Sequence, residues 1–218
     1  MRGLCFEHPA WALPGTAAWP EMDSHRLAPA QRQDLAEVLP YLGCGEVSAV
    51  LAFSGRLLRR LPLSARQGLR AMAHDEQRHA LLIEQLQKTL PAPRLALDGP
   101  RIALFFQRLE SEDAALHLAH IAALDRAVCQ LLQPLLRRGA ALSAAPAVHR
   151  ALCALRQDEA RHVRMARLLA QQCGAPAALQ QRLDHDIRVR LQAILQPVHV
   201  TLARLAAPLD VPHQAAAA

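Results

Sequence analysis

Aromatic side chains make up only 3% of this 218-residue chain, as four Phe, two Trp and one Tyr. With β-branched residues also sparse, a sheet-built core is disfavoured, and Leu, Ala, Arg and Gln, all good helix formers, set the fold. Lysine is nearly missing: Lys88 is the single Lys among 25 basic residues, the rest being Arg. The net charge of +6 is spread out, with no dense basic run and no interleaved aromatics. That disfavours a nucleic-acid groove and leaves an acidic partner, such as RNA or a carrier protein, as the lesser alternative. No Cys-x-x-Cys occurs among Cys5, Cys44, Cys129, Cys153 and Cys173, so a zinc knuckle, a rubredoxin-type centre and a thioredoxin-like motif are unsupported. An odd cysteine count without a leader-like segment fits reduced thiols and a cytoplasmic location. Apolar residues reach 52%, yet charges interrupt every long run, so neither a transmembrane span nor a membrane partner is expected.

What is present is helix, punctuated by proline. Residues 1–39 read as an irregular arm, with Trp11 and Trp19, followed by a short helix over Gln31–Val38. Pro40 is placed to open a first long helix running to about Arg60. Ser64 can cap a second from Ala65 to about Leu90, stopped by Pro91-Ala92-Pro93. A third is expected from about Arg101 to Arg138, kinked or ended early at Pro134. A fourth runs from Pro146 to a left-handed stop at Gly174. Residues 176–218 then supply a fifth helix, Ala177 to Ala206, bent at Pro197, and a frayed tail. The fold class is thus all-α. Residues 40–175 form a four-helix bundle of two repeated helix pairs: Glu46 precedes Leu57-Leu58-Arg59-Arg60 much as Asp125 precedes Leu135-Leu136-Arg137-Arg138.

Each repeat leads into the same five-residue pattern, Asp75-Glu76-Gln77-Arg78-His79 and Asp158-Glu159-Ala160-Arg161-His162. Glu-x-x-His places a carboxylate and an imidazole on one helix face. Two such helices, joined by one carboxylate from each of two further helices, make the ligand set of a dinuclear metal site. Glu46 lies 30 residues before Glu76, and Asp125 lies 34 before Glu159. The expected ligands are therefore Glu46, Glu76, His79, Asp125, Glu159 and His162. Glu110, Glu112 and Asp113 are alternatives on the third helix, but they sit more than three turns too early and break the repeat. Four carboxylates and two imidazoles suit two iron ions, and manganese would fit the same set; the lack of thiolates argues against a zinc cage. A ligating histidine needs a partner for its second ring nitrogen. Asp75 and Asp158 point toward the opposite motif, which predicts crosswise pairs, Asp158 with His79 and Asp75 with His162. The alternative is a pair of solvated faces with internal ion pairs. Against it, Leu69, Met72, Ile83, Leu155, Ala166 and Leu169 bracket the acids and bury them.

The other histidines read as bystanders. His74 falls on the exposed face, His185 on a polar helix face, and His117 and His120 at the surface or outside the ligand set. Cys129, Val50 and Phe53 fall where they could line a cavity, though a plain core role is the stronger reading for each.

The doubled Asp-Glu-x-Arg-His resembles the ferritin-like diiron-carboxylate superfamily, above all its oxygen-activating branch. That branch holds multicomponent monooxygenase hydroxylases, ribonucleotide reductase small subunits and arylamine N-oxygenases. The resemblance covers about residues 40–172. It implies an oxidoreductase, a non-haem diiron oxygenase using O2 as cosubstrate to hydroxylate or N-oxidise a small-molecule or carrier-bound organic substrate. An external electron donor, a ferredoxin or reductase, is implied, and a homodimer is compatible. A tRNA-modifying diiron hydroxylase and a ferritin-like iron-oxidising or storage protein are the alternatives. Three features depart from the subfamilies. Tyr41, the one tyrosine, lies five residues before Glu46, which gives a reductase-type radical little support. Met72 and Leu155 stand where the N-oxygenases carry an additional His. The missing Cys-x-x-Cys pairs exclude a complete rubrerythrin.

Overall fold

The computed structural model describes residues 21–52, 61 and 63–209. The arm with Trp11 and Trp19, Phe53, the Leu57–Arg60 stretch of the repeat and the terminal alanines lie outside the described residues, as does the side chain of Ser64. Among the described residues there are seven α-helices: α1 Pro29–Ala52, α2 Leu63–Lys88, α3 Gly99–Gln107, α4 Ala114–Leu135, α5 Pro146–Gln172, α6 Ala177–Ile194 and α7 His199–Ala206. Among the described residues the only β-type pairing is an isolated bridge between Ala140 and Pro208. The all-helical class is as the composition implied. No helix among the described residues is long and apolar enough to cross a membrane.

Three boundaries differ from the sequence reading. The short helix and the first long one are a single helix, and Pro40 lies inside it. An interior proline removes one backbone donor and costs about 3 kcal/mol. Burial of Leu35, Ala36, Val38 and Leu39 before it, and of Tyr41, Leu42 and Cys44 after it, holds α1 continuous. The expected third helix is two, α3 and α4. Asp113 starts α4 by accepting hydrogen bonds from the Ala115 and Leu116 amides, so Glu110, Glu112 and Asp113 fall in the intervening turn. The fifth helix breaks at Pro197 into α6 and α7, with a 3-10 turn at Gln196–Val198 between them. The ends of α2 and α5 agree with expectation. Gly174, at φ +102°, takes the left-handed conformation that closes α5, while the Ala175 amide donates to Ala170 O at 2.8 Å.

Helix directions follow from two apolar slabs. One slab collects Leu35, Val38, Leu39 and Leu42 of α1, Leu82, Ile83 and Leu86 of α2, Leu132 and Leu135 of α4, and Val148, Leu152 and Leu155 of α5. The other collects Ala65, Leu69 and Met72 of α2, Leu118, Ile121 and Ala122 of α4, and Ala166, Leu169 and Ala170 of α5, with Ala49 of α1 against it. Chain order through the slabs makes α1 and α5 run one way and α2 and α4 the other. Helix α1 packs on α2, α4 on α5, and α2 on α5. Because α2 and α4 are parallel, the chain must travel back along the molecule between them, and α3 lies in that crossover. Helix α6 packs on α4, and α7 returns to α1, where Arg204 forms a two-pronged ion pair with Asp34.

Helices α2 and α5 approach closely at Gly68: a Cβ there would stand 2.7 Å from Met165 Sδ. Gly68→Leu is therefore expected to destabilise the chain by about 1–3 kcal/mol through overpacking. In a Met165→Ala background the penalty should shrink, and denaturant unfolding of the four-member cycle measures the difference. Equal penalties in both backgrounds would show that the contact does not limit the packing.

Candidate metal centre

Between the two slabs lies a polar layer. It holds Glu46 from α1, Glu76 and His79 from α2, Asp125 from α4, and Glu159 and His162 from α5, all buried. Ligand-type atoms of Glu46, Glu76, His79 and Glu159 lie within 4.8 Å of one another, and so do those of Asp125, Glu159 and His162. Glu159 belongs to both groups. All six sequence-predicted residues thus converge, and Asp125 is the carboxylate that the third long helix contributes.

The rings are oriented from outside the layer. His79 Nε2 faces Asp158 Oδ2 at 3.2 Å, and His162 Nε2 faces Asp75 Oδ2 at 3.3 Å. These are the expected crosswise pairs. Donating through Nε2–H leaves each neutral ring its Nδ1 lone pair, which points inward. His79 Nδ1 lies 3.4 Å from Glu46, 3.6 Å from Glu76 and 3.3 Å from Glu159. His162 Nδ1 lies 2.9 Å from Glu76 Oε1. The ring centroids are 6.1 Å apart.

Two arginines complete the arrangement, and the sequence reading gave them no role. Arg78 reaches Asp75 Oδ1 and Asp158 Oδ2, each at 3.2 Å. Arg161 reaches Asp75 Oδ2 at 2.6 Å and Asp158 Oδ1 at 2.9 Å. Each guanidinium therefore spans both aspartates, locking the carboxylates that aim the imidazoles. The signal was available: both motifs carry Arg three residues after the Asp.

Charge is the unsolved problem inside the layer. Four carboxylates face two imidazoles, so even doubly protonated rings leave two negative charges uncompensated in a buried site. Burial and mutual repulsion in the layer favour retained protons over bare charge. Burial, then the charge of Glu76, pushes Glu46 well above the usual carboxylate range. Burial, then Glu159, does the same to Asp125, and Glu159 is raised by burial and Glu76. For Glu76, burial is outweighed by contacts with His162 and His79, and its pKa falls. Both histidines are raised despite burial, His79 by Glu159, Glu46 and Glu76, and His162 chiefly by Glu76. Asp125 Oδ2 is buried and makes no hydrogen bond among the described residues. Two divalent cations would balance four carboxylates with both rings neutral, and would give that oxygen a partner. The donor set fits metal.

The remaining candidates sort themselves. His74 and His185 are exposed, as expected. His117 is buried, contrary to a surface position: its Nδ1 accepts from the Ser111 amide at 3.2 Å. His120 Nδ1–H donates to Leu109 O at 2.8 Å. Both tie the turn before α4 to that helix. Cys129 is half-buried and donates weakly to Arg156 O at 3.7 Å; burial, with Glu159 and Asp125 nearby, pushes its thiol up to about 12. Tyr41 is packed in the first slab, and Val50 is half-buried.

These shifts fix a pH dependence for the chelator-treated chain. Glu46, Asp125 and Glu159 hold protons more tightly folded than unfolded, so their stabilisation is full below the ordinary values of 4.5 and 3.8. It is lost as pH rises through the folded values, and the raised histidines act in the same direction. Lowered Glu76 and Asp158 act oppositely, with stabilisation lost only as pH falls below the carboxylate range. The melting temperature should therefore drop between about pH 5 and pH 8. A rise over that interval would contradict the protonated layer.

Comparison with protein-family models, with curated proteins and with solved structures finds no match to this chain.

Proposed function

We propose that α1, α2, α4 and α5 form a ferritin-like four-helix bundle around a dinuclear iron centre, and that the protein is an oxygenase. One observation carries the reading: four buried carboxylates and two inward-facing imidazole nitrogens, supplied by four helices, converge in one layer. Glu46, Glu76, His79, Asp125, Glu159 and His162 would hold the ions. Carboxylates neutralise the ions and can bridge them, while neutral imidazole on each side favours iron or manganese over calcium or magnesium.

Iron, when bound, supplies the redox chemistry with dioxygen that no side chain here provides. The chain contributes everything around it. Asp75 and Asp158 fix the tautomer and angle of the rings, and Arg78 and Arg161 keep those carboxylates in place. The apolar slabs on either side exclude bulk water. Such a dry layer suits hydroxylation or N-oxidation of an organic substrate, with electrons delivered by a separate ferredoxin or reductase.

Protein purified after iron-supplemented growth should contain about two irons per chain. A Glu76→Ala, Glu159→Ala variant that stays helical by circular dichroism should contain none. Equal metal in both proteins, or none in either, would overturn the site. Asp158→Asn leaves all six ligands in place yet should weaken metal binding by about 10–100-fold. Calorimetric titration with manganese(II) reads that change, and unaltered affinity would remove the orienting role of the aspartates.

A further inference from the structure

The chain carries one element that the metal layer does not account for. Helix α3 sits in the crossover, and both of its ends are tied down. Asp98 caps it and Arg101 Nη2 donates to Ala193 O at 2.9 Å, while His117 and His120 hold the turn that follows. Between these anchors stand Phe105 and Phe106, packed edge to face with centroids 5.1 Å apart. Phe105 is buried with Ala123 of α4 and Ile187 of α6. Phe106 turns toward α1: a Cβ at Gly45 would stand 4.0 Å from its Cζ. Gly45 precedes Glu46, and Ala123 lies two residues before Asp125. The phenyl pair therefore spans from α1 to α4 at the level of the polar layer.

Four helices surround the layer, which gives four seams. Helices packing directly on one another close three of them: α1 with α2, α4 with α5, and α2 with α5. The α2–α5 seam is also sealed by the Arg78, Arg161, Asp75 and Asp158 network. The fourth seam, between α1 and α4, is bridged by α7, which packs on both helices, and beside the layer by the phenyl pair of α3. Unlike Phe105, Phe106 is only half-buried, so its ring has room to change rotamer.

We propose that Phe106 is the access residue of the acid–histidine layer, its ring closing the α1–α4 seam so that small uncharged apolar molecules enter by displacing it. Beside Phe106, the residues packed between α3, α4 and α6 are apolar, Phe105, Leu109, Ala123 and Ile187 among them, surroundings that favour uncharged molecules. The substrate class is accordingly an unionised, largely apolar organic molecule. That class rests on the oxygenase reading; the access route does not.

A hydrophobic carbodiimide tests the route in the chelator-treated chain, in buffer acidic enough for carboxyls to couple, since such reagents reach carboxyls through apolar paths. Labelling of Glu46 and Asp125, located by peptide mass mapping, should be slow in the wild type. It should accelerate about ten-fold or more in Phe106→Ala, by an intermediate factor in Phe106→Leu, and be unchanged in Leu104→Ala, an exposed position on the same helix. Circular dichroism confirms that each variant is folded, and Phe106→Leu serves should Phe106→Ala not be. Unchanged labelling in the folded Phe106 variants would overturn the proposal. A parallel wild-type sample with manganese(II) separates the two readings: lack of protection there counts against the metal centre and leaves the access result standing.

Discussion

Negative charge buried in the middle of the molecule is the constraint that orders everything else. A layer with four carboxylates and two imidazoles cannot be neutral by its own side chains once the acids ionise. It persists because apolar slabs on both faces keep its helices together, and because protons or cations can take up the excess. The slabs alone would make a stable helical protein. The layer makes that protein chemically specific, at a cost in stability that only a bound ligand or retained protons can offset.

The outer ring of Asp75, Asp158, Arg78 and Arg161 belongs to the same logic. A metal-binding imidazole must present a lone pair inward, so its proton must be held on the far nitrogen. The crosswise aspartates do that, and the two arginines prevent the aspartates from swinging to solvent. Because each aspartate serves the histidine of the opposite helix, orientation of the rings is coupled to the packing of α2 on α5. The close approach of Gly68 and Met165 sets that packing two turns away.

Parallel α2 and α4 have a topological consequence. Their connection must traverse the molecule, and a long crossover lying over one seam gives that seam a character the others lack. The phenyl pair of α3 lies beside it, and α7 packs on both of its helices. Helix direction and the placement of the phenyl pair are in this sense one feature of the fold.

The residues of the polar layer were legible in the sequence because helical periodicity is local. Glu-x-x-His needs only 3.6 residues per turn to place two donors on one face, and repetition of the motif identified its partners Glu46 and Asp125. The crosswise Asp–His pairs were legible for the same reason. What the sequence left out depends on burial shared between distant segments. Pro40 looks like a helix start until the apolar residues on both sides of it are seen packed in one slab. The turn between α3 and α4 carries no proline or glycine, so only the Asp113 cap and the tertiary need for a crossover reveal it. Arg78 and Arg161 were visible as a repeat, but their joint grip on two aspartates exists only where α2 and α5 meet. Local spacing determined which side chains could cooperate; helix direction and packing decided which of them do.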